Sequence, residues 1–149
     1  MRKGYTDDAS IIAEILAEAD VLWLALTDAD GPYCVPVNFA ANGNTIYIHT
    51  GKYGRKATAL ATGAPVAFSA AVDVRMRAGG DTACDQGYLF RSIMGQGIPR
   101  QLDHAEKHIG LDQLATKYMK TRLPYQKSVL SATIVYAIAI ETISARIKE

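Results

Sequence analysis

The residues with the clearest chemistry lie in one run, His49-Thr50-Gly51-Lys52-Tyr53-Gly54-Arg55-Lys56. Two glycines let backbone approach a ligand closely. Thr50 offers a hydroxyl, Arg55 a planar fork of donors and Lys56 a point charge. A helix opening at Arg55 adds free N–H groups and a partial positive charge. Together these groups suit a phosphate monoester. The run is not a Walker A loop, because G-x-x-x-x-G-K-[ST] is absent, so no nucleoside triphosphate is implied. Taken locally, the same run also reads as a solvated turn leading into a helix. Two neighbours favour the phosphate. His49 ends the preceding strand, beside the proposed anion. Pro36 and the polar Asn38 interrupt an otherwise apolar strand, as expected where a planar ligand lies along it and takes backbone hydrogen bonds.

Positioning these groups requires a particular set of elements. Thr6, Asp7 or Asp8 caps a first helix whose Ile11, Ile12, Ile15, Leu16 and Ala19 recur on one face up to Asp20. Val21–Thr27 is a short apolar run suited to a buried strand. The turn Asp28–Pro32 leads to a second strand, Tyr33–Phe39. Asn42-Gly43 is the strongest hairpin signal in the chain and returns it as a third strand, Thr45–His49. A short helix over 55–62 stops at Gly63 and Pro65. Val66–Val72 is a fourth strand, 73–86 an excursion around Gly79-Gly80, and Tyr88–Ile98 a fifth strand with bends at Gly95 and Gly97. Residues 102–120 read as a helix that Gly110 divides. Ser131–Ile143 alternates as a long last strand. Six strands joined mostly by tight turns predict a mainly β, antiparallel barrel with helical decorations. A doubly wound parallel sheet is disfavoured, because strands two and three form a hairpin.

Composition narrows the partners. The 149 residues suit one domain over 1–149 and can bury a core without metal or disulfide. A net charge of +1 gives no overall pull toward nucleic acid or an anionic membrane. No run of about 18 apolar residues suggests a membrane span, and the polar start suggests no signal peptide. Cys34 and Cys84 lie in no C-x-x-C pair, and free thiols fit a cytoplasmic protein. Cys34 in its apolar strand reads as buried rather than nucleophilic. Trp23 and Phe68 read as core, and Arg75, Arg77 and Arg91 as solvated or as framing an anion.

The run from Tyr33 to Leu60 resembles the FMN-binding split barrels related to pyridoxamine 5'-phosphate oxidase, and is most similar to their nitroimidazole-resistance-type branch. The likeness is carried by Pro-Tyr-Cys-Val-Pro-Val-Asn-Phe at 32–39, the Asn-Gly hairpin, Ile-Tyr-Ile-His-Thr at 46–50 and Gly-Arg-Lys at 54–56. Phe90–Gly97 and Val135–Ile143 extend it in the same order. The resemblance implies a six-stranded antiparallel split β-barrel binding FMN at a homodimer interface. It implies that Cys34, Val35, Pro36, Val37 and Asn38 lie along the flavin ring and ribityl chain. Thr50, Arg55 and Lys56 would hold the phosphate, and His49 would sit near the reactive face as the catalytic residue. Phe90, Arg91 and Ser92 would reach the flavin or the neighbouring subunit. The tryptophan–arginine pair that the oxidase proper carries near its C-terminus is absent, which argues against pyridoxine-phosphate oxidation.

The resulting expectation is an FMN-dependent reductase of a small acceptor, such as a nitro compound or quinone. The alternative is a non-catalytic module holding flavin or haem. A nucleic-acid or protein-binding barrel is disfavoured by the charge balance and by the lack of regularly spaced stacking aromatics. His104 and His108 are spaced i, i+4, but the glutamate is misplaced for H-E-x-x-H and no third ligand is evident, so no metal site is expected. Gly95-Gln96-Gly97-Ile98-Pro99-Arg100 lacks the third glycine of a dinucleotide fingerprint and reads as a bent strand.

Overall fold

The computed structural model describes residues 2–149. After a two-residue strand β1 (Tyr5–Thr6), helix α1 (Ala9–Glu18) starts where the Asp8 carboxylate accepts hydrogen bonds from the backbone N–H groups of Ser10 and Ile11. Ile12, Ile15 and Leu16 form its buried stripe. Strands β2 (Leu22–Asp28) and β3 (Gly31–Val37) form a hairpin in register from Leu22 opposite Val37 to Asp28 opposite Gly31. Then come β4 (Ala40–Asn42), β5 (Thr45–Gly51), α2 (Arg55–Ala61) and β6 (Val66–Met76). A single 3-10 turn at Ala83–Asp85 precedes β7 (Tyr88–Leu102). Helices α3 (His104–Tyr118) and α4 (Lys127–Ala132) separate it from β8 (Thr133–Lys148).

All pairings are antiparallel, in the order β3-β2-β6-β7-β8-β5-β4, with β1 beside the end of β8. β7 and β8 form the spine. β6, β2 and β3 extend from one side of it, and β5 and β4 from the other. Leu22, Leu24 and Leu26 of β2 nevertheless share one core with Ile46 and Ile48 of β5, so the sheet curls around that core while β3 and β4 remain free edges. This is an open split barrel, mainly β and antiparallel as expected, with eight strands where six were predicted.

The differences have local causes. Asn42-Gly43 does make a tight turn, and Gly43 takes a φ of 56° that favours glycine. Its partners are β4 and β5, however. β3 turns back on β2 instead, and a three-residue strand was too short to show alternation. Gly110 does not divide α3. It is buried there, and an added Cβ would stand 2.7 Å from Val135 Cγ1, so glycine permits close packing of helix on strand. α4 was not predicted, because it buries no residue and carries no apolar period. The strand after Gly63 continues to Met76, through the first part of the predicted excursion. Gly95 and Gly97 do mark an irregularity, with the β7–β8 register shifting between Gln96 and Gly97. β6 stops pairing with β7 at Gly97, which leaves an open edge beside Pro99 and makes that proline tolerable inside a long strand. Phe68 is in the core as expected, but Trp23 is 52% exposed on the outer face of β2.

Candidate functional site

Side-chain alternation along β5 divides the predicted site residues between two faces. Ile46, Ile48 and Thr50 point into the main core, and Thr50 is only 7% exposed. His49 projects from the opposite face, where α3 packs. The chemistry read as one continuous run is therefore split by the pleat.

On the α3 side His49 borders a cavity of about 390 Å³ that Asn38 also lines. Asn38 follows the end of β3 and is exposed. Leu111, Leu114 and Ala115 of α3 form one wall, and the segment after α3, with Met119, Tyr125 and Val129, forms another. α3 is held in place by its last turn. The Phe39 N–H donates to Tyr118 Oη at 3.0 Å, and Tyr118 Oη donates to the Asp20 carbonyl at 2.7 Å. Lys117 Nζ donates to the Leu16 carbonyl at 2.8 Å and sits 3.5 Å from the centre of the Phe39 ring. These wall residues were legible only as the apolar face of a helix, since nothing in their spacing tied them to His49.

His49 is exposed, yet the groups around it remove part of its hydration. That partial desolvation, with the charge of Lys56, holds its imidazole below the ordinary histidine range, so the neutral ring is favoured. Lys56 is half-buried and forms no ion pair among the described residues. Burial lowers its ammonium from the usual lysine value.

Arg55 is placed differently from expectation. Its Nε and Nη2 bond both carboxylate oxygens of Asp28 at 2.6 and 3.0 Å, Nη2 also reaches the Gly31 carbonyl at 3.4 Å, and the guanidinium stacks 4.6 Å from the Tyr33 ring centre. Asp28, which the sequence did not single out, raises the Arg55 pKa further while its own carboxyl is held low by that same fork. Arg55 thus pins the β2–β3 turn, and Nη1 carries no hydrogen bond among the described residues. The segment between β5 and α2 turns through Gly54 at φ 106°, a conformation suited to glycine. α2 is only seven residues long, so the cationic side chains rather than a helix dipole dominate the field there.

β3 links these two places. Gly31 and Tyr33 touch Arg55, while Asn38, just past its other end, lines the His49 cavity. Between them β3 pairs only with β2, so the backbone groups on its other edge are unpaired. Along this edge Val35 packs partly against the core and Val37 is buried, while Cys34 and Pro36 are exposed. The expectation of a buried Cys34 is corrected: the odd positions of β3 face the core and Cys34 falls on the outer face.

Phe90, Arg91 and Ser92 are not brought to this site within one chain. Leu102 of β7 is level with His49 through Val135, and Ser92 lies about ten residues, or roughly 30 Å of strand, back along β7. Ser92 is buried opposite Arg146, and Arg91 is engaged by Asp73 and Glu18 at 2.6 Å each and by Glu14 at 3.4 Å. His104 and His108 are exposed on α3.

An open antiparallel split barrel with a cation-flanked free strand edge is the class of protein these features define. The sequence matches the pyridoxamine 5'-phosphate oxidase family over residues 8–147, and the chain belongs to that family. No curated protein matches it. Among solved structures, one described as a candidate 5-nitroimidazole antibiotic resistance protein from Bacteroides thetaiotaomicron superposes with a TM-score of 0.82 at 24% identity, covering 95% of this chain and 84% of that one. The FAD and haem binding protein from Mycobacterium smegmatis gives 0.87 at 22% identity, covering 99% and 74%. The flavocytochrome Anf3 from Azotobacter vinelandii gives 0.83 at 20% identity, covering 98% and 70%. At these identities the likeness is one of fold.

Proposed function

We propose that the protein binds a flavin, FMN by preference, and uses it to reduce a small acceptor. The observation that carries this reading is the free edge of β3 running from the Arg55–Lys56 corner to the Asn38–His49 cavity. These groups fit a flavin mononucleotide. Lys56 and the unused Nη1 of Arg55 would hold its phosphate, and the unpaired backbone of β3 would accept and donate hydrogen bonds to its polar ring edge. Structural relatives are described as binding FAD or as a flavocytochrome, and the Bacteroides relative as a candidate nitroimidazole resistance protein, which supports a flavin and a nitro acceptor, while the preference for FMN rests on the single-phosphate corner at Lys56. A bound flavin supplies electron and hydride transfer, and the protein supplies position and electrostatics. His49, neutral near pH 7, would donate or accept a proton beside the ring.

A homodimer belongs to the same proposal. Pro36, Trp23, Ser69 and Met94 lie in one cross-strand row on the outer sheet face, with Cys34, Ala25, Ala67 and Gln96 in the next. Neither row holds a charge, and Trp23 and Met94 are well exposed, which suits a covered surface. A partner on this face could also bring its own 90–92 segment to the flavin.

Flavin titration tests the reading. FMN should bind with a perturbed visible spectrum and a raised unfolding temperature. Lys56→Ala should weaken binding by about tenfold or more, in line with the loss of a charge-assisted bond worth roughly 1.5–3 kcal/mol. Unchanged affinity would remove the phosphate assignment. Lys56 is the cleaner probe, because replacing Arg55 also releases the β2–β3 turn. Haem is the second reading, favoured by a histidine in a mainly apolar cavity and by the two relatives described as haem proteins. A red-brown protein with a haem absorption band would select it.

A further inference from the structure

The cavity beside His49 has a lining whose charge pattern points to its occupant. Leu111, Leu114 and Ala115 face Met119 and Val129 across it, and its uncommitted polar side chains are Asn38, His49 and Gln126, the hydroxyls of Tyr118, Tyr125 and Thr133 being bonded to Asp20, Asp112 and Val129. No carboxylate, lysine or arginine lines it. Several charged groups on the surrounding elements are committed elsewhere, and Lys120 and Lys127 are exposed and outside the lining. Lys107 Nζ donates to the Leu130 carbonyl at 2.7 Å, Lys117 to Leu16, and Arg122 pairs with Asp112 at 2.6 Å. Lys56 acts on His49 electrostatically from outside the lining.

We infer that this cavity selects an uncharged, largely apolar planar molecule with one or two hydrogen-bonding atoms, and rejects anionic analogues of the same shape. Its volume of about 390 Å³ lies within the range of small-ligand pockets. An anionic group placed there would lose its hydration with no charged partner in the lining itself, Lys56 lying outside it, whereas a neutral carbonyl or nitro oxygen could use Asn38, His49 or Gln126. The outer wall is the segment 119–132, which carries no buried residue in α4 and is pinned to α3 by Arg122 and by Tyr125 Oη, 3.3 Å from Asp112. Identifying the occupant as the electron acceptor rests on the flavin reading above, while the selectivity itself does not.

The test is calorimetric titration of the purified protein, with and without saturating FMN, using menadione and 1,4-naphthoquinone-2-sulfonate as probes. The neutral quinone should bind at least about tenfold more tightly than the sulfonate, a difference of roughly 1.4 kcal/mol. Val129 is exposed, so Val129→Lys should fold, and it should narrow or reverse the ratio by placing a cation at the rim. Equal affinities in the parent, no binding of the neutral quinone, or a ratio unmoved by Val129→Lys would overturn the inference. Competition between menadione and FMN would give the cavity to the flavin ring and overturn its assignment to the acceptor. Failure of FMN to bind, with charge selectivity intact, would instead sink only the flavin reading.

Discussion

His49 and Lys56 each have a pKa that burial pulls below the ordinary value for its type. Burial and the Lys56 charge lower the His49 pKa, so the folded protein resists taking up that proton. The unfolded chain protonates the same ring at about pH 6.5. Below that value protonation therefore favours unfolding, and this part of the stability is lost as pH falls toward the lower folded pKa. His49→Gln should show a shallower loss of stability between neutral pH and pH 5 than the parent, measured by urea unfolding at several pH values. Under the proposed function the same variant should retain flavin and lose turnover. An unchanged acid profile would mean that the ring is hydrated like any surface histidine.

At the scale of elements, the cavity exists because the last turn of α3 is tied to the start of β4 and to the end of α1. Tyr118 Oη makes two hydrogen bonds there, and one satisfies the N–H of Phe39, whose side chain is fully buried. Tyr118→Phe leaves that donor without its partner and should cost about 1–3 kcal/mol. Thermal or urea unfolding measures the loss, and a cost below about 0.5 kcal/mol would show that water replaces the hydroxyl. The glycines of β7 serve the spine in a related way. A Cβ at Gly97 would stand 2.5 Å from the Ala139 carbonyl oxygen, so the bulge that redirects β7 toward Leu102 depends on the missing side chain.

The whole molecule is a curled, open sheet whose outer face carries two adjacent uncharged cross-strand rows. If a second copy covers that face, as proposed, Trp23→Lys should shift the protein to monomer in sedimentation or light scattering. It should leave the monomer folded, because the side chain is already half exposed. A dimer unaffected by this change would place the interface elsewhere. Among the described residues no helix is long and apolar enough to cross a membrane.

Local patterns were legible without coordinates. A cap among Thr6, Asp7 and Asp8, the apolar stripe of α1, the Asn42-Gly43 turn, the bends at Gly95 and Gly97 and the antiparallel barrel all follow from propensities acting over a few residues, and the structure selects Asp8 as the cap. Pro36 lies on an edge strand, where a residue without an N–H is tolerated. Tertiary packing decided the rest. It commits Arg55 to Asp28, separates Thr50 from His49 across the pleat, exposes Trp23 and Cys34, and brings α3 over His49. The physical reason is that spacing along a chain specifies which residues share a face, whereas partners distant in sequence are chosen by how the sheet curls to bury its core.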